Sequence, residues 1–327
     1  MPSTMLPTPR LSSEMMYDHL SSMSDDLDRA LGALDYAAAA AEGKSVTLVV
    51  APVEAFRELT KRDVKAVRDR LDRVVMGNDP EAGLDALLAT NGLEAIFPEV
   101  QSMVGFSDAE WRHKDVWKHT KQVVRQAVPR IEVRWGALFH DIGKVKTRSI
   151  TPDGKVHFFG HAEVGTRMFD KLDHRMPLFV HEPTLRDTVR FLILHHLRPN
   201  QYESTWTDSA IRRFRKELGD HLEDLLCLAR ADITTKRPEK KRRGLSNISE
   251  LASRIRELEA ADAVVPPLPS GIGDDIMKAF ELKPSRLIGE IKRALETAVE
   301  QGIVPSHQPS ETYIEFIRAN KDKFGLG

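Results

Sequence analysis

The 327-residue sequence contains a single cysteine, few aromatic residues and almost no net charge. The lone Cys227 excludes an intrachain disulfide framework and a thiolate-rich zinc site. Its neighbours are leucine and alanine, which indicates a core residue rather than a nucleophile. The formal net charge of −1 excludes a strong overall field toward nucleic acid. Any preference for such a partner must therefore be local.

Targeting signals are also lacking in the sequence. No stretch approaches the roughly 20 apolar residues that a bilayer-spanning helix needs. The first residues do not show the basic segment followed by an apolar segment that marks a secretory signal. Together with the low cysteine content, these absences favour a cytoplasmic location.

The sequence is otherwise that of a soluble globular protein, with 41% hydrophobic and 30% charged residues. Its length is sufficient for about two domains. Helical periodicity dominates, so the predicted fold class is all-α, with a helical bundle flanked by N-terminal and C-terminal helical extensions. Strand patterns are confined to residues 45–53 and to residues 155–159, which follow a Pro-Asp-Gly turn.

The pattern divides the chain into four parts. Residues 1–23 are predicted to be disordered. Ser24, followed by two acidic residues, is predicted to begin a helix that runs to Gly43. From residue 53 to residue 105, short helices are predicted to be broken by glycine or proline at four positions, namely Gly77, Pro80, Gly92 and Pro98.

The remainder is predicted to contain a central domain and a C-terminal region. The N-terminal helical region covers residues 24–111, and the central domain covers residues 112–262. A proline-rich linker at residues 264–271 follows. The C-terminal region, residues 272–327, is predicted to hold helices at about 272–280 and 284–301.

The stretch WGALFHDIGK, residues 135–144, places polar residues inside an apolar segment. Burying an ionised carboxylate without a partner costs several kcal/mol. Asp141 therefore needs a metal, a salt bridge or a helix end as its partner. His140 precedes it directly, and adjacent helical residues project about 100° apart, so both can border one cavity.

Four further helical segments each place a potential metal ligand on an apolar face. If these side chains converge on a cation, the free-energy cost of burying them is offset. The alternative is that each one is a separate core residue with its own hydrogen-bond partner. Imidazole and carboxylate without thiolate favour Mn, Fe, Co or Ni over Mg and Ca, and Zn stays possible. The four residues are His119, His161, His196 and Asp232.

In this order, the six residues resemble the HD-domain metal phosphohydrolases, whose all-helical fold gathers ligands from successive helices. The resemblance implies that Asp141 bridges two metal ions. It implies that His119, His140 and Asp232 serve one ion, and that His161 and His196 serve the other. His195 is either an alternative ligand or a residue that supports the ligands from behind.

A narrower resemblance, over residues 62–300, is to the HD region of bacterial CCA-adding tRNA nucleotidyltransferases and related poly(A) polymerases. The G-G-x-V-R-D turn and the strand-borne D-x-D pair of their nucleotidyltransferase head are not found, because Asp26 and Asp28 lie in a helical context. We therefore expect no nucleotide addition. The segments that carry the resemblance are DVWKHTKQVV, RWGALFHDIGK, GKVHFFGHAEVG, HHLRPNQY, WTDSAIRRF, ARADITTKRPEKKRR and residues 68–100.

The resemblance implies hydrolysis of 2′,3′-cyclic phosphates, 2′-nucleotides and simple phosphate esters. Two metal ions would activate a water molecule, with Asp141 as the central catalytic carboxylate. Lys144 and Arg198 are the candidate catalytic cations that stabilise charge on the phosphoryl group. Cations that merely complement a helix C-terminus are the alternative for both.

The basic run KRPEKKRR, residues 236–243, is a candidate phosphate-backbone surface, and Lys236 and Arg237 begin it. A solvated face is the alternative. Tyr202 could stack a base, or it could pack its own loop. The sequence thus predicts a metal-dependent phosphohydrolase or phosphodiesterase acting on RNA ends or nucleotides. A nucleotidase, a deoxynucleotide triphosphohydrolase and a non-catalytic tRNA-binding module are the alternatives.

Overall fold

The computed structural model describes residues 13–106, 115–263 and 266–326, and these form an almost entirely helical protein. The prediction of an all-α fold is confirmed. The predicted boundary at residues 111 and 112 lies outside the described residues. The helices of the N-terminal half are α1 (Ser13–Ala41), α2 (Val53–Arg62), α3 (Val64–Met76), α4 (Pro80–Ala89), α5 (Gly92–Ile96), α6 (Pro98–Gln101), α7 (Val116–Gln126), α8 (Ile131–Phe139) and α9 (Lys144–Thr147).

The second half of the chain continues with helices of similar length and one long helix, α14. The chain divides into two compact units, Met1–Ile255 and Arg256–Gly327, and α14 crosses their boundary. These helices are α10 (His161–Arg175), α11 (Pro183–His195), α12 (Asp208–Leu218), α13 (Leu222–Asp232), α14 (Pro238–Ala263), α15 (Ile272–Ala279), α16 (Arg286–Glu300) and α17 (Ser310–Ala319).

Helix α8 lies at the centre of the first unit. It packs against α3, α7, α11 and α13, and every residue from Val133 to Phe139 is buried. The N-terminal helices α2, α3 and α4 pack against α1, and α4 also contacts α7. A helix that is apolar all round must be surrounded by other helices, as the sequence around Trp135 predicted.

The predicted helix breaks at residues 53–105 are confirmed. Gly77 follows the last residue of α3, and Pro80 is the first residue of α4. Gly92 and Pro98 likewise begin α5 and α6. Proline is favoured at the first helical position because its missing N–H would have no partner there.

The N-terminus of the described chain differs from the prediction. Residues 1–12 lie outside the described residues, but α1 begins at Ser13 rather than at Ser24. The good helix formers Glu14, Met15 and Met16 extend the helix backward, so Ser24 lies inside it.

The predicted strand at residues 45–53 is wrong. Residues 44–52 have no regular secondary structure and pair with no described strand, and Val46 and Leu48 are exposed. A β-prone segment becomes a strand only when a neighbour supplies the hydrogen bonds. The second prediction is confirmed, since β1 (Ser149–Ile150) pairs antiparallel with β2 (Val156–His157).

The second unit has its own core, formed by α15, α16 and α17 around the buried side chains of Ile291 and Tyr313. The two predicted helices match α15 and α16, whereas α17 was missed despite the start signal of Pro309 and Ser310. Residues 264 and 265 of the predicted linker lie outside the described residues. In the described parts of the chain, no helix is both long enough and apolar enough to cross a membrane.

Candidate metal centre

Six side chains from five helical segments meet in the first unit, and most of them lie at a helix end. His119 is in α7, and His140 with Asp141 directly follows α8. His161 is the first residue of α10, His196 follows the last residue of α11, and Asp232 is the last residue of α13. Because the packed helices all end at this point, polar groups gather there without entering the apolar core.

The Oδ2 group is the set of side chains around Asp141 Oδ2, namely His119, His140 and Asp232. His119 Nε2 lies 3.4 Å from Asp141 Oδ2 and 3.0 Å from Asp232 Oδ1. His140 Nε2 lies 3.2 Å from Asp141 Oδ2 and 3.7 Å from Asp232 Oδ1. Two imidazoles and two carboxylates thus face one another across a few ångströms.

The Oδ1 group is the pair of histidines on the other side of the same carboxylate. His161 Nε2 lies 3.5 Å and His196 Nε2 lies 3.9 Å from Asp141 Oδ1. The two Nε2 atoms are 3.1 Å apart. Asp141 is therefore the only side chain of the six that takes part in both groups.

The histidine rings are held by their other nitrogen atoms. In three of them, Nδ1 lies 2.8 Å from the carbonyl oxygen three residues earlier in the chain, so Nδ1 carries the hydrogen. In the neutral ring, this leaves the Nε2 lone pair directed into the cluster. The acceptors are Ala137 for His140, Phe158 for His161 and Ile193 for His196.

His119 is oriented by a side chain instead of the backbone. Its Nδ1 lies 2.9 Å from Oγ1 of Thr234, which is 5% exposed. Thr234 is a functional residue that the sequence interpretation missed. It lies beyond the end of α13, where no helical periodicity indicates the direction of its side chain.

The cluster fits a divalent cation. His140 Nε2 and Asp141 Oδ1 are buried and have no hydrogen-bond partner among the described residues. Two neutral histidines that both donate through Nδ1 also place their Nε2 lone pairs against each other in the Oδ1 group. A cation relieves both problems, and imidazole nitrogen with carboxylate oxygen is a donor set that first-row transition metals accept. His119, His140 and Asp141 could hold one ion, and Asp141, His161 and His196 could hold another.

The pKa shifts of the clustered residues also favour a bound cation. Burial opposes ionisation of Asp141, but His140 and Lys144 outweigh it and hold the pKa of Asp141 well below its usual range. Burial likewise opposes charge on His140, yet the Asp141 carboxylate raises the pKa of His140 to about 10. The buried carboxylate therefore draws a positive charge toward the centre. Burial lowers the pKa of His196 to about 4, so this ring is neutral and free to donate its lone pair.

Gly143 brings α10 close to the turn that carries His140 and Asp141. A Cβ atom at this position would lie 2.0 Å from the His161 carbonyl oxygen and 2.6 Å from the Gly165 nitrogen. Its φ of −69° is ordinary, so the glycine is needed for close approach rather than for backbone freedom. Gly143 therefore sets the distance between Asp141 and His161.

Lys144 is brought to the centre, as the sequence predicted. Its Nζ lies 2.5 Å from Asp141 Oδ2 and 5.7 Å from the centre of the Phe158 ring. Lys144 thus places a cation beside the Oδ2 group.

Two other candidates lie outside the cluster. The His195 ring packs against Phe191, with 4.3 Å between the ring centres, and is not in either group of potential ligands. Arg198 donates to Glu217 at 2.7 Å and lies over the Phe214 ring. Among the described contacts, Arg198 has none with the six clustered residues.

The substrate-binding candidates differ in their exposure. Tyr202 is 3% exposed and donates its hydroxyl to Glu250 at 2.7 Å. The burial of this ring favours the alternative that Tyr202 packs its own loop rather than stacking a base. Lys236 and Arg237 are exposed, and Lys236 lies four residues after Asp232 in the chain. Cys227 is a buried core residue, as predicted.

Residues 116–237 match the family model of the HD domain. The six-residue order indicated this same domain type, and the match covers a little over a third of the chain. The match begins at the first residue of α7 and ends just beyond α13, so it includes every residue of the cluster.

The chain is similar to two curated tRNA nucleotidyltransferases and to a multifunctional CCA protein. The chain is 28% identical over 257 residues to the A-adding tRNA nucleotidyltransferase of Deinococcus radiodurans, a match covering 76% of this chain and 57% of the relative. It is 27% identical over 270 residues to the CC-adding tRNA nucleotidyltransferase of Thermus thermophilus, covering 80% and 58%. A match to the multifunctional CCA protein of Mannheimia succiniciproducens has 25% identity and covers 49% and 39%. The chain spans a little over half the length of the first two relatives.

Proposed function

We propose that the chain is a metal-dependent phosphohydrolase that hydrolyses 2′,3′-cyclic phosphates or phosphomonoesters of RNA ends or nucleotides. The observation that carries the proposal is the convergence of four imidazoles on the buried Asp141 carboxylate, with the half-buried Asp232 beside two of them and with His140 Nε2 and Asp141 Oδ1 lacking partners among the described residues. The names of the relatives support an RNA as the carrier of the phosphate.

The proposed metal ligands are the six clustered residues, with Asp141 shared between two sites. The preferred ions are Mn, Fe, Co or Ni, and Zn is possible. Divalent cations bound there would supply Lewis acidity toward the phosphate and would activate water at neutral pH.

The side chains of the protein itself supply orientation and charge. The backbone carbonyl of Ala137 and the hydroxyl of Thr234 fix the ring planes of His140 and His119. Lys144 can turn from Asp141 to a phosphoryl oxygen, where its ammonium group would offset charge that builds up during hydrolysis. Arg198 would have to leave Glu217 first, so its catalytic role is the weaker part of the proposal.

The test is a panel of substrates measured with the full chain. The panel contains 2′,3′-cyclic nucleotides, 2′- and 3′-monophosphates, nucleoside triphosphates and RNA ending in a cyclic phosphate, each with Mn, Co, Ni or Mg. We expect hydrolysis of cyclic or monophosphate substrates and bound metal by elemental analysis. Absence of hydrolysis across the whole panel would overturn the proposal.

A second candidate function is RNA binding without catalysis, which the names of the relatives favour. An RNA-binding module would bind RNA with metal present or removed and would hydrolyse nothing on the panel. A nucleotidase or deoxynucleotide triphosphohydrolase would instead prefer the free nucleotides, because pocket shape decides among the phosphate esters.

A further inference from the structure

The turn between β2 and α10 displays an aromatic ring to solvent. Phe159 is 74% exposed, the highest value among the large apolar side chains of the described residues. Its ring lies on His157, with 4.9 Å between the ring centres and planes inclined by only 7°. One face of the Phe159 ring is thus covered by His157, whereas the other face is exposed and available to a further aromatic ring.

This stack stands next to the metal centre. Phe159 is two residues before His161, which places their Cα atoms within about 7 Å. The intervening backbone is fixed at the centre, because the Phe158 carbonyl accepts the hydrogen of His161 Nδ1 at 2.8 Å. The ring of Phe158 lies over Lys144, which contacts Asp141. A ligand anchored at Asp141 therefore lies within reach of this stack.

The charge near the hairpin favours a polyanionic ligand, because the segment that leads into it is basic, whereas Asp153 at the turn is paired with Lys155 and Glu163 is the acidic residue in the first turn of α10. Residues 144–148, KVKTR, carry three cations and no acidic residue, and the side chains of Lys146 and Arg148 are exposed. Cations that follow a phosphate backbone, together with an aromatic ring on which a base stacks, are the combination that binds single-stranded nucleic acid. A protein partner would instead require a broad apolar patch.

We propose that Phe159 is a base-stacking residue, and that a base of single-stranded RNA lies on its open face. The base would belong to a nucleotide adjoining the one whose phosphate reaches the centre. The position of that phosphate rests on the proposed function, whereas the stacking itself does not.

The binding test uses a fluorescein-labelled oligoadenylate of about eight nucleotides, a length within the usual range for single-strand sites. Fluorescence anisotropy gives the dissociation constant for the full chain with and without Phe159→Ala. We expect about tenfold weaker binding, the usual size of one lost base stack. Phe159→Trp should keep the affinity. Ile150→Ala is the matched control, because Ile150 is 61% exposed on the neighbouring strand β1 but is not aromatic.

The hydrolysis test compares RNA ending in a cyclic phosphate with bis-p-nitrophenyl phosphate, which has no base. Phe159→Ala should lower the ratio of the two kcat/KM values about tenfold. Equal affinity of Phe159→Ala and the unaltered chain for the oligoadenylate, or no binding by either, would overturn the inference. RNA binding that depends on Phe159 without hydrolysis of any ester would overturn the proposed function and leave the stacking role in place.

Discussion

The two groups that share Asp141 differ in charge. The Oδ2 group contains a second carboxylate, Asp232, and has Lys144 beside it. The Oδ1 group adds only imidazoles, and burial lowers the pKa of both His161 and His196. Asp232 attracts a cation to the Oδ2 group, whereas the Lys144 ammonium repels it, so we expect tighter binding there only when Lys144 turns away from Asp141 toward the substrate.

The two groups also differ in how their ligands are supported. His161 and His196 are both held by backbone carbonyls, and His161 depends on the close contact at Gly143. His119 is held by a hydroxyl and its side chain is 12% exposed. In the Oδ1 group both rings are thus held by the backbone, whereas in the Oδ2 group His140 is held by the backbone and His119 by the Thr234 side chain. Asp141 therefore links two groups of potential ligands that depend on different supporting interactions.

Removal of the shared carboxylate should break both groups at once. For Asp141→Ala we expect loss of both ions by elemental analysis and a fall in hydrolysis of more than about 1,000-fold. Asp141→Asn keeps the volume and serves as a second variant, checked by circular dichroism for folding. Full metal content in both folded variants would contradict a bridging role for Asp141.

Lys144 tests whether the extra charge beside the Oδ2 group serves the substrate or the metal. Lys144→Ala should lower kcat about 100- to 1,000-fold, the usual cost of one charge-stabilising donor, while metal content stays unchanged. Lys171, an exposed lysine on α10, is the control position for the same substitution. Loss of metal from Lys144→Ala would instead assign Lys144 a structural part.

One ligand from each group allows the groups to be separated. His196→Ala should remove one ion and keep the other, whereas Asp232→Ala should weaken binding of the ion in the Oδ2 group by more than about 100-fold. Isothermal titration of metal-stripped protein measures both effects. His195→Ala is the matched control, because this ring lies against Phe191 and not in the cluster. An equal loss in His195→Ala and His196→Ala would contradict the assignment of the Oδ1 group.

The sequence predicted most of the helices and identified all six clustered residues as potential metal ligands. Helical breaks at Gly77 and Pro80 depend on local backbone chemistry, so they can be read without tertiary contacts. The phase of His119 with Val116 and Val123 likewise reports a buried face directly. Both kinds of signal are local, and both predictions of position agree with the structure.

Features that depend on contacts between distant segments were not predicted. The segment at residues 45–53 has the composition of a strand but has no described partner to pair with. Tyr202 was a candidate for base stacking because the sequence does not reveal the hydrogen bond that its hydroxyl donates to Glu250 in α14. The close contact of Gly143 with the His161 backbone is likewise visible only in the structure.

Gly143 offers a way to disturb the Oδ1 group without touching a ligand. Gly143→Ala should displace the start of α10 and with it His161, since the added Cβ would meet backbone atoms. We expect a loss of about 1–3 kcal/mol in the free energy of unfolding, measured by urea denaturation, and loss of one ion. Gly289→Ala in α16, where the added Cβ meets nothing within 4 Å, is the control. Unchanged stability and unchanged metal content would show that α10 can move aside.

Thr234 offers the corresponding small change in the Oδ2 group. Thr234→Val keeps the side-chain shape but removes the hydroxyl that orients His119, so this ring loses its only described partner at Nδ1. We expect about tenfold weaker binding of the ion in the Oδ2 group, the lower end of the range for residues that orient a metal ligand. Thr235→Val is the neighbouring control. Among the described contacts, none joins the Oδ1 group to this hydroxyl, so we expect the ion there to be retained with unchanged affinity. A loss there would mean that the two groups are coupled through more than Asp141.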